Sequence, residues 1–91
     1  MAAGLYYRLT PHAREEAIRR SIPTDIIDSV MREPQQVLEA FGGKRAYQSK
    51  IRFEGDKMYL VRLIVDERTA PSSVVTVYRT SKVKKYWREK Q

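Results

Sequence analysis

From Val74 to Thr80 (VVTVYRT) the side chains alternate, which predicts a strand with two unlike faces. Val75 and Val77 point one way, beside Arg79. Thr76, Tyr78 and Thr80 point the other way, beside Val74. Val, Thr and Tyr all suit a pleated, half-buried surface. Val75 and Val77 are therefore expected in the core. The Thr76/Tyr78/Thr80 row is either the floor of a site or the solvated back of an amphipathic strand.

Two earlier runs repeat the pattern. Ala46 to Phe53 sets Tyr47, Ser49, Ile51 and Phe53 against Gln48, Lys50 and Arg52. Lys57 to Val65 returns after the turn Glu54-Gly55-Asp56, so an antiparallel hairpin is expected. Its core set is Ile51, Phe53, Val61, Leu63 and Val65. Met58, Leu60, Arg62 and Ile64 face the other way. Gln36 to Phe41 reads as a short further strand, Leu5 to Leu9 as an extended or β-like entry, and Asp66 to Ser73 as a connection.

Between these lie two helix patterns. Thr10 can cap a helix that starts at Pro11 and runs to Arg20, with Ala13 and Ala17 on its inner stripe. Ser21-Ile22-Pro23-Thr24 breaks it. A second helix, Thr24 to Arg32, shows Ile26, Ile27, Val30 and Met31 on one stripe. Ile22 can staple onto Ile27 if Pro23 is the cap. Pro34 pushes Glu33 out of helical geometry and ends the element. A C-terminal helix, capped by Thr80 or Ser81, would show Val83, Tyr86 and Trp87 on one face. Lys82, Lys84, Lys85, Arg88 and Lys90 lie around the rest.

Helices followed by a run of strands means α+β. The expectation is one domain over residues 1–91. Two N-terminal helices pack on a small twisted antiparallel sheet of three to four strands, and a C-terminal helix follows. The other sheet face would be partly open, unless the last helix covers Leu60 and Ile64 there.

Composition narrows the function. The 91 residues are 42% hydrophobic, enough for one modest core. With no cysteine and one His, disulfides, iron–sulfur clusters and His-rich metal centres are not expected, and neither is a cofactor. No long apolar run predicts a membrane span. The opening MAAGLYYRL lacks the pattern of a secretory signal, so the cytoplasm is the expected compartment. The net charge of +7 is uneven. Residues 1–43 carry five basic and six acidic side chains, and residues 44–91 carry thirteen and five. A one-sided basic field favours RNA, DNA or an acidic protein.

The predicted open face carries Lys50, Arg52, Arg62, Thr76, Tyr78 and Thr80, with Lys44 and Arg45 in a Gly-rich loop at its rim. Lys and Arg can hold phosphates while Tyr stacks a base. Arg62 interrupts the apolar run YLVRLIV. Mid-strand, it must reach water, serve a site, or pair with an acid such as Glu54 or Asp66. Metal-free RNA cleavage needs a base, a cation for the phosphorane and an acid for the leaving oxygen. His12 is the one residue with a suitable ordinary pKa. It is either that base or a helix-start residue tying the first turn to the sheet.

Five segments, in order, carry a resemblance: TPHA (Thr10–Ala13), RRSIP (Arg19–Pro23), EPQQV (Glu33–Val37), RAYQSKI (Arg45–Ile51) and VVTVYRTSK (Val74–Lys82). Over residues 8–87 the chain resembles a widespread family of small prokaryotic domains grouped with the RelE/BrnT-like toxins. The resemblance implies a RelE-like α+β fold, metal-independent endoribonuclease activity on free or ribosome-bound RNA, and a small antitoxin partner. His12, Tyr47, Thr76 and Tyr78 fall on the family's pattern, while Lys50 and Arg62 resemble the basic residues such toxins use. Ser21 stands where that pattern has Gly, an exchange free of strain if its φ stays negative.

Three readings follow. The first is a toxin-like endoribonuclease with His12, Lys50, Arg62 and Tyr78 as its catalytic set. Lys44, Arg45, Tyr47, Arg52, Thr76 and Thr80 would bind its RNA. The second is a non-catalytic RNA- or DNA-binding module on the same face. The third is an interaction domain docking an acidic partner.

Overall fold

The computed structural model describes residues 6–89. Leu5 and Lys90, named above, lie outside them. The strands are β1 (Tyr7–Leu9), β2 (Gln36–Glu39), β3 (Arg45–Phe53), β4 (Lys57–Asp66) and β5 (Ser72–Thr80). The helices are α1 (Pro11–Arg19), α2 (Thr24–Arg32) and a single turn, α3 (Val83–Tyr86). All five strands form one sheet in the order β1-β5-β4-β3-β2.

This corrects the expected architecture. The sheet has five strands, not three to four, and it is mixed, because β1 runs parallel to β5. The parallel pair joins residues about 65 positions apart (Tyr7 with Ser72, Leu9 with Val74), so no local turn signal announces it. Thr10 extends the contact, its N–H donating to the Val74 carbonyl at 3.1 Å. Its hydroxyl then accepts from the Ala13 N–H at 3.1 Å, and Pro11 opens α1.

Both helices pack on one face of the sheet. Ala13, Ala17, Ile22, Ile27, Val30 and Met31 meet Val61, Leu63, Val65, Val74 and Val77 in one core. Each fully buried Val, Leu or Ile contributes about 1.5–3 kcal/mol of transfer free energy. Ile22 and Ile27 flank the Pro23 cap as a hydrophobic staple.

The core set on β5 differs from simple alternation. The register shifts between Ile64 and Val65, so Ile64 faces Thr76 while Val65 faces Val74. Val75 is the extra residue of a β-bulge. Val74 is fully buried and Val75 only half-buried, which reverses the expected placement.

The α1–α2 turn brings a second correction. Ser21 has φ +56°, in the left-handed region. Its N–H donates to Ile18 and the Ile22 N–H donates to Ala17 at 2.8 Å, which makes a Schellman closure with Ser21 at the position glycine favours. A side chain there costs about 1–2 kcal/mol. The negative φ that would leave Ser21 free of strain is therefore not adopted.

One ion pair sets an acid dependence at the β4–β5 connection. Hydrogen bonds from the Arg68 side chain and N–H hold the Asp66 carboxyl down at about 2. A depressed carboxyl stabilises the fold above its unfolded value, and that contribution is lost as pH falls through the folded one. Acid titration of the wild type should therefore show loosening of this connection as pH falls from the ordinary carboxylate range toward about 2, absent in Asp66→Asn. Identical acid profiles for the two would contradict this.

Candidate functional site: the strap-side face of the sheet

The face away from α1 and α2 is not open. After β5 the chain turns at Ser81-Lys82, makes α3, and crosses the sheet toward β2. We call residues 82–88 the strap. Thr80 accepts the Lys82 N–H at 3.0 Å, and no side chain caps α3, so the expected Thr80/Ser81 cap shrinks to this one turn contact. With only one helical turn, Trp87 falls beyond α3.

Strand register explains what holds the strap. Gln36, Gln48, Arg62 and Tyr78 sit opposite one another on β2, β3, β4 and β5. Gln48 is fully buried. Its Nε2 donates to Gln36 Oε1 (2.8 Å) and to the Tyr86 carbonyl (3.2 Å), and its Oε1 accepts from Arg62 Nε (2.8 Å). Gln36 in turn accepts the Arg88 N–H (3.1 Å) and donates to the Arg88 carbonyl (2.5 Å). The two amides thus bind strap backbone much as a neighbouring strand would.

Arg62 pairs with neither Glu54 nor Asp66. Its Nη1 donates to the Tyr78 hydroxyl at 2.5 Å, and its guanidinium lies 4.4 Å from the Tyr86 ring centroid. Tyr86 also meets Tyr78 edge-to-face at 6.2 Å. The neighbouring row is Lys50, Leu60 and Thr80, with the Lys50 ammonium 4.1 Å from the Trp87 ring centroid. Such cation–π contacts hold the strap, and among the described residues no carboxylate lies within 4.0 Å of either cation. Burial raises the Tyr78 phenol, opposed by Arg62, so Tyr78 is protonated at neutral pH.

The structure brings together Lys50, Arg62, Thr76, Tyr78 and Thr80 of the sequence-derived set. Arg52 joins them at the hairpin end, paired with Asp56 at 3.2 Å. It does not bring in the others. His12 is exposed on the first turn of α1, in the helix layer on the far side of the sheet. Tyr47 and Arg45 both engage Glu67, Tyr47 by a short hydrogen bond and Arg45 at 3.3 Å. Burial and Glu67 push the Tyr47 phenol up to about 12. Lys44 sits over Phe41, 6.0 Å from its ring centroid. Gln36, Gln48, Tyr86 and Trp87 belong to the site but not to the sequence-derived set, although alternation puts Gln48 on this face and Tyr86 and Trp87 on the helix stripe that could cover it. The available signal was a Tyr-Trp pair near the C-terminus, facing a sheet whose second side contains Leu60 and Ile64.

Chemically, the face offers a cation and a protonated phenol in contact. Beside them stand exposed or half-exposed lysines and arginines on the strap and rim: Lys50, Arg52, Lys82, Lys84, Lys85 and Arg88. No helix among the described residues is long and apolar enough to cross a membrane. Compared with protein-family models, curated proteins and solved structures, the chain matches none.

Proposed function

We propose that this protein binds single-stranded RNA, in the cytoplasm, on the strap-side face. The observation that supports the reading is a concentration of cations interleaved with Tyr78, Tyr86 and Trp87. Of the carboxylates at its margins, Asp56 is tied to Arg52 and Glu89 follows the strap. Cations fix phosphates, and aromatic faces accept bases without regard to sequence.

A second reading is metal-independent cleavage of RNA by a toxin-type nuclease with an antitoxin partner, in keeping with the motif resemblance. The Arg62–Tyr78 contact favours it, because an arginine can stabilise the phosphorane and a phenol can protonate the leaving oxygen. Binding ranks first because His12, the candidate base, is on the opposite side of the sheet.

The test is a titration of a short fluorescent oligouridylate in EDTA across a salt series, with the RNA then run on a gel. Binding should weaken linearly in log–log form, with a slope of roughly −0.7 per phosphate engaged. A Lys84→Ala/Lys85→Ala/Arg88→Ala variant should flatten that slope by about 2. Cleavage by the wild type, absent in Arg62→Ala/Tyr78→Phe, would promote the second reading. No saturable binding at low salt would remove both for free RNA.

A further inference from the structure

On the helix side, where the α1–α2 turn meets the ends of β3, β4 and β5, two adjoining cavities open. One, about 500 Å³, is lined by Ser21, Pro23, Phe53, Glu54, Tyr59 and Arg79. The other, about 410 Å³, shares Ser21, Tyr59 and Arg79 and adds Arg19, Arg20 and Ser81 among its walls. Together they have the size range of small-ligand clefts.

Arg79 is the unusual residue. Its guanidinium carbon lies 4.3 Å from the Phe53 ring centroid and 4.7 Å from that of Tyr59. The rings meet edge-to-face at 5.4 Å and so hold the guanidinium in one place. Among the described residues no carboxylate pairs with it within 4.0 Å. Arg19 and Arg20 share a single carboxylate, Glu16, at 3.0 and 2.8 Å. Counting Glu54, which opposes them, the cleft keeps one surplus positive charge. A fixed, unpaired guanidinium suits the fork geometry of phosphate oxygens.

Ser21 adds an independent observation. It lines both cavities and occupies a left-handed position that glycine would fill without strain. Serine offers what glycine lacks there, a hydroxyl at the cleft. We propose that this cleft binds a phosphate ester, with Arg79 and the Ser21 hydroxyl donating to its oxygens. The site is on the opposite face from the strap and does not depend on the RNA reading given above.

Titration of the full chain, followed by NMR at the Ser21 amide and the Arg79 side-chain N–H, tests this. Adenosine 5′-monophosphate and inorganic phosphate should shift both signals saturably, and adenosine should not. Ser21→Gly should weaken adenosine monophosphate binding about tenfold, the value of one hydrogen bond to a charged group, although its melting temperature rises. Opposite signs for stability and affinity separate a lost ligand contact from a damaged fold. Arg79→Gln should weaken binding at least as much. Arg62→Ala, on the other face, should leave it unchanged whatever it does to RNA. A short oligoadenylate binding the cleft more tightly than the monophosphate identifies an RNA strand as the source, and equal affinity identifies a free nucleotide. Equal shifts from adenosine, or wild-type affinity in both Ser21→Gly and Arg79→Gln, would overturn the proposal.

Discussion

Replacing Gln48 with alanine is expected to destabilise the fold by about 3 kcal/mol, because it removes three hydrogen bonds at a buried position. For a domain of this size that lowers the melting temperature by roughly 12–24 °C. The cost comes less from the bonds than from the groups left behind. The Tyr86 carbonyl and the Arg62 Nε–H would lose their partners beneath the strap. Arg62 is only half-buried, so water can reach part of it, and the loss stays below that of a fully buried orphan charge. Gln48→Met keeps the volume and should lose nearly as much, which separates hydrogen bonding from packing. Hydrogen exchange gives the local readout. In both variants the Arg88 N–H, bonded to Gln36, should lose protection as the strap detaches. A loss under 1 kcal/mol with Arg88 still protected would show that the Gln36–Arg88 hydrogen bonds and the aromatic contacts hold the strap without Gln48.

The central position of Gln48 was not legible in the chain, and the reason is physical. Alternation separates two faces of a strand but does not say which is dry. Gln48 shares its face with Lys50 and Arg52, so it reads as solvated until the strap is seen to cover it. What was legible rests on strong local chemistry. Thr10-Pro11 starts α1, Pro34 ends α2, and the staple Ile22–Ile27 joins the two helices. Of the expected hairpin core set, Val61, Leu63 and Val65 are fully buried, and Ile51 and Phe53 pack half-buried against the same core. The Lys50–Arg62–Tyr78 grouping followed from the same alternation carried across three strands. Non-local features failed together. β1 is three residues long and pairs with a strand far along the chain, so its partner and direction are set by tertiary packing. Residue chemistry alone groups His12 with the sheet residues, yet the position of α1 on the core side puts the sheet between them. Residue type leaves the φ of Ser21 open, whereas the Schellman closure dictates it.

The bulge at Val75 permits a direct contest between pattern and structure. Uninterrupted alternation puts Val75 in the core and Val74 outside. The observed register puts Val74 in the core at 0% exposure, next to the parallel pairing with Leu9, and leaves Val75 half-buried. An aspartate at position 74 must either take a charge into the apolar core or be protonated there, and it also gives up the transfer free energy of a buried valine. Val74→Asp is therefore expected to cost more than about 3 kcal/mol, a large share of the roughly 5–15 kcal/mol that holds a small domain together. At position 75 the same substitution places the carboxylate where it can reach water, and the Val75 carbonyl, which accepts from the Thr10 hydroxyl, is unchanged. Val75→Asp should cost under about 1 kcal/mol. Urea midpoints for the two variants measure the difference. If Val75→Asp proves the more damaging, the strand runs without a bulge and Val75 is the core residue. If Val74→Asp does, the extra residue is what lets one strand close the helix-side core at Val74 and Val77 while keeping Thr76 and Tyr78 aligned with Ile64 and Arg62 on the other face.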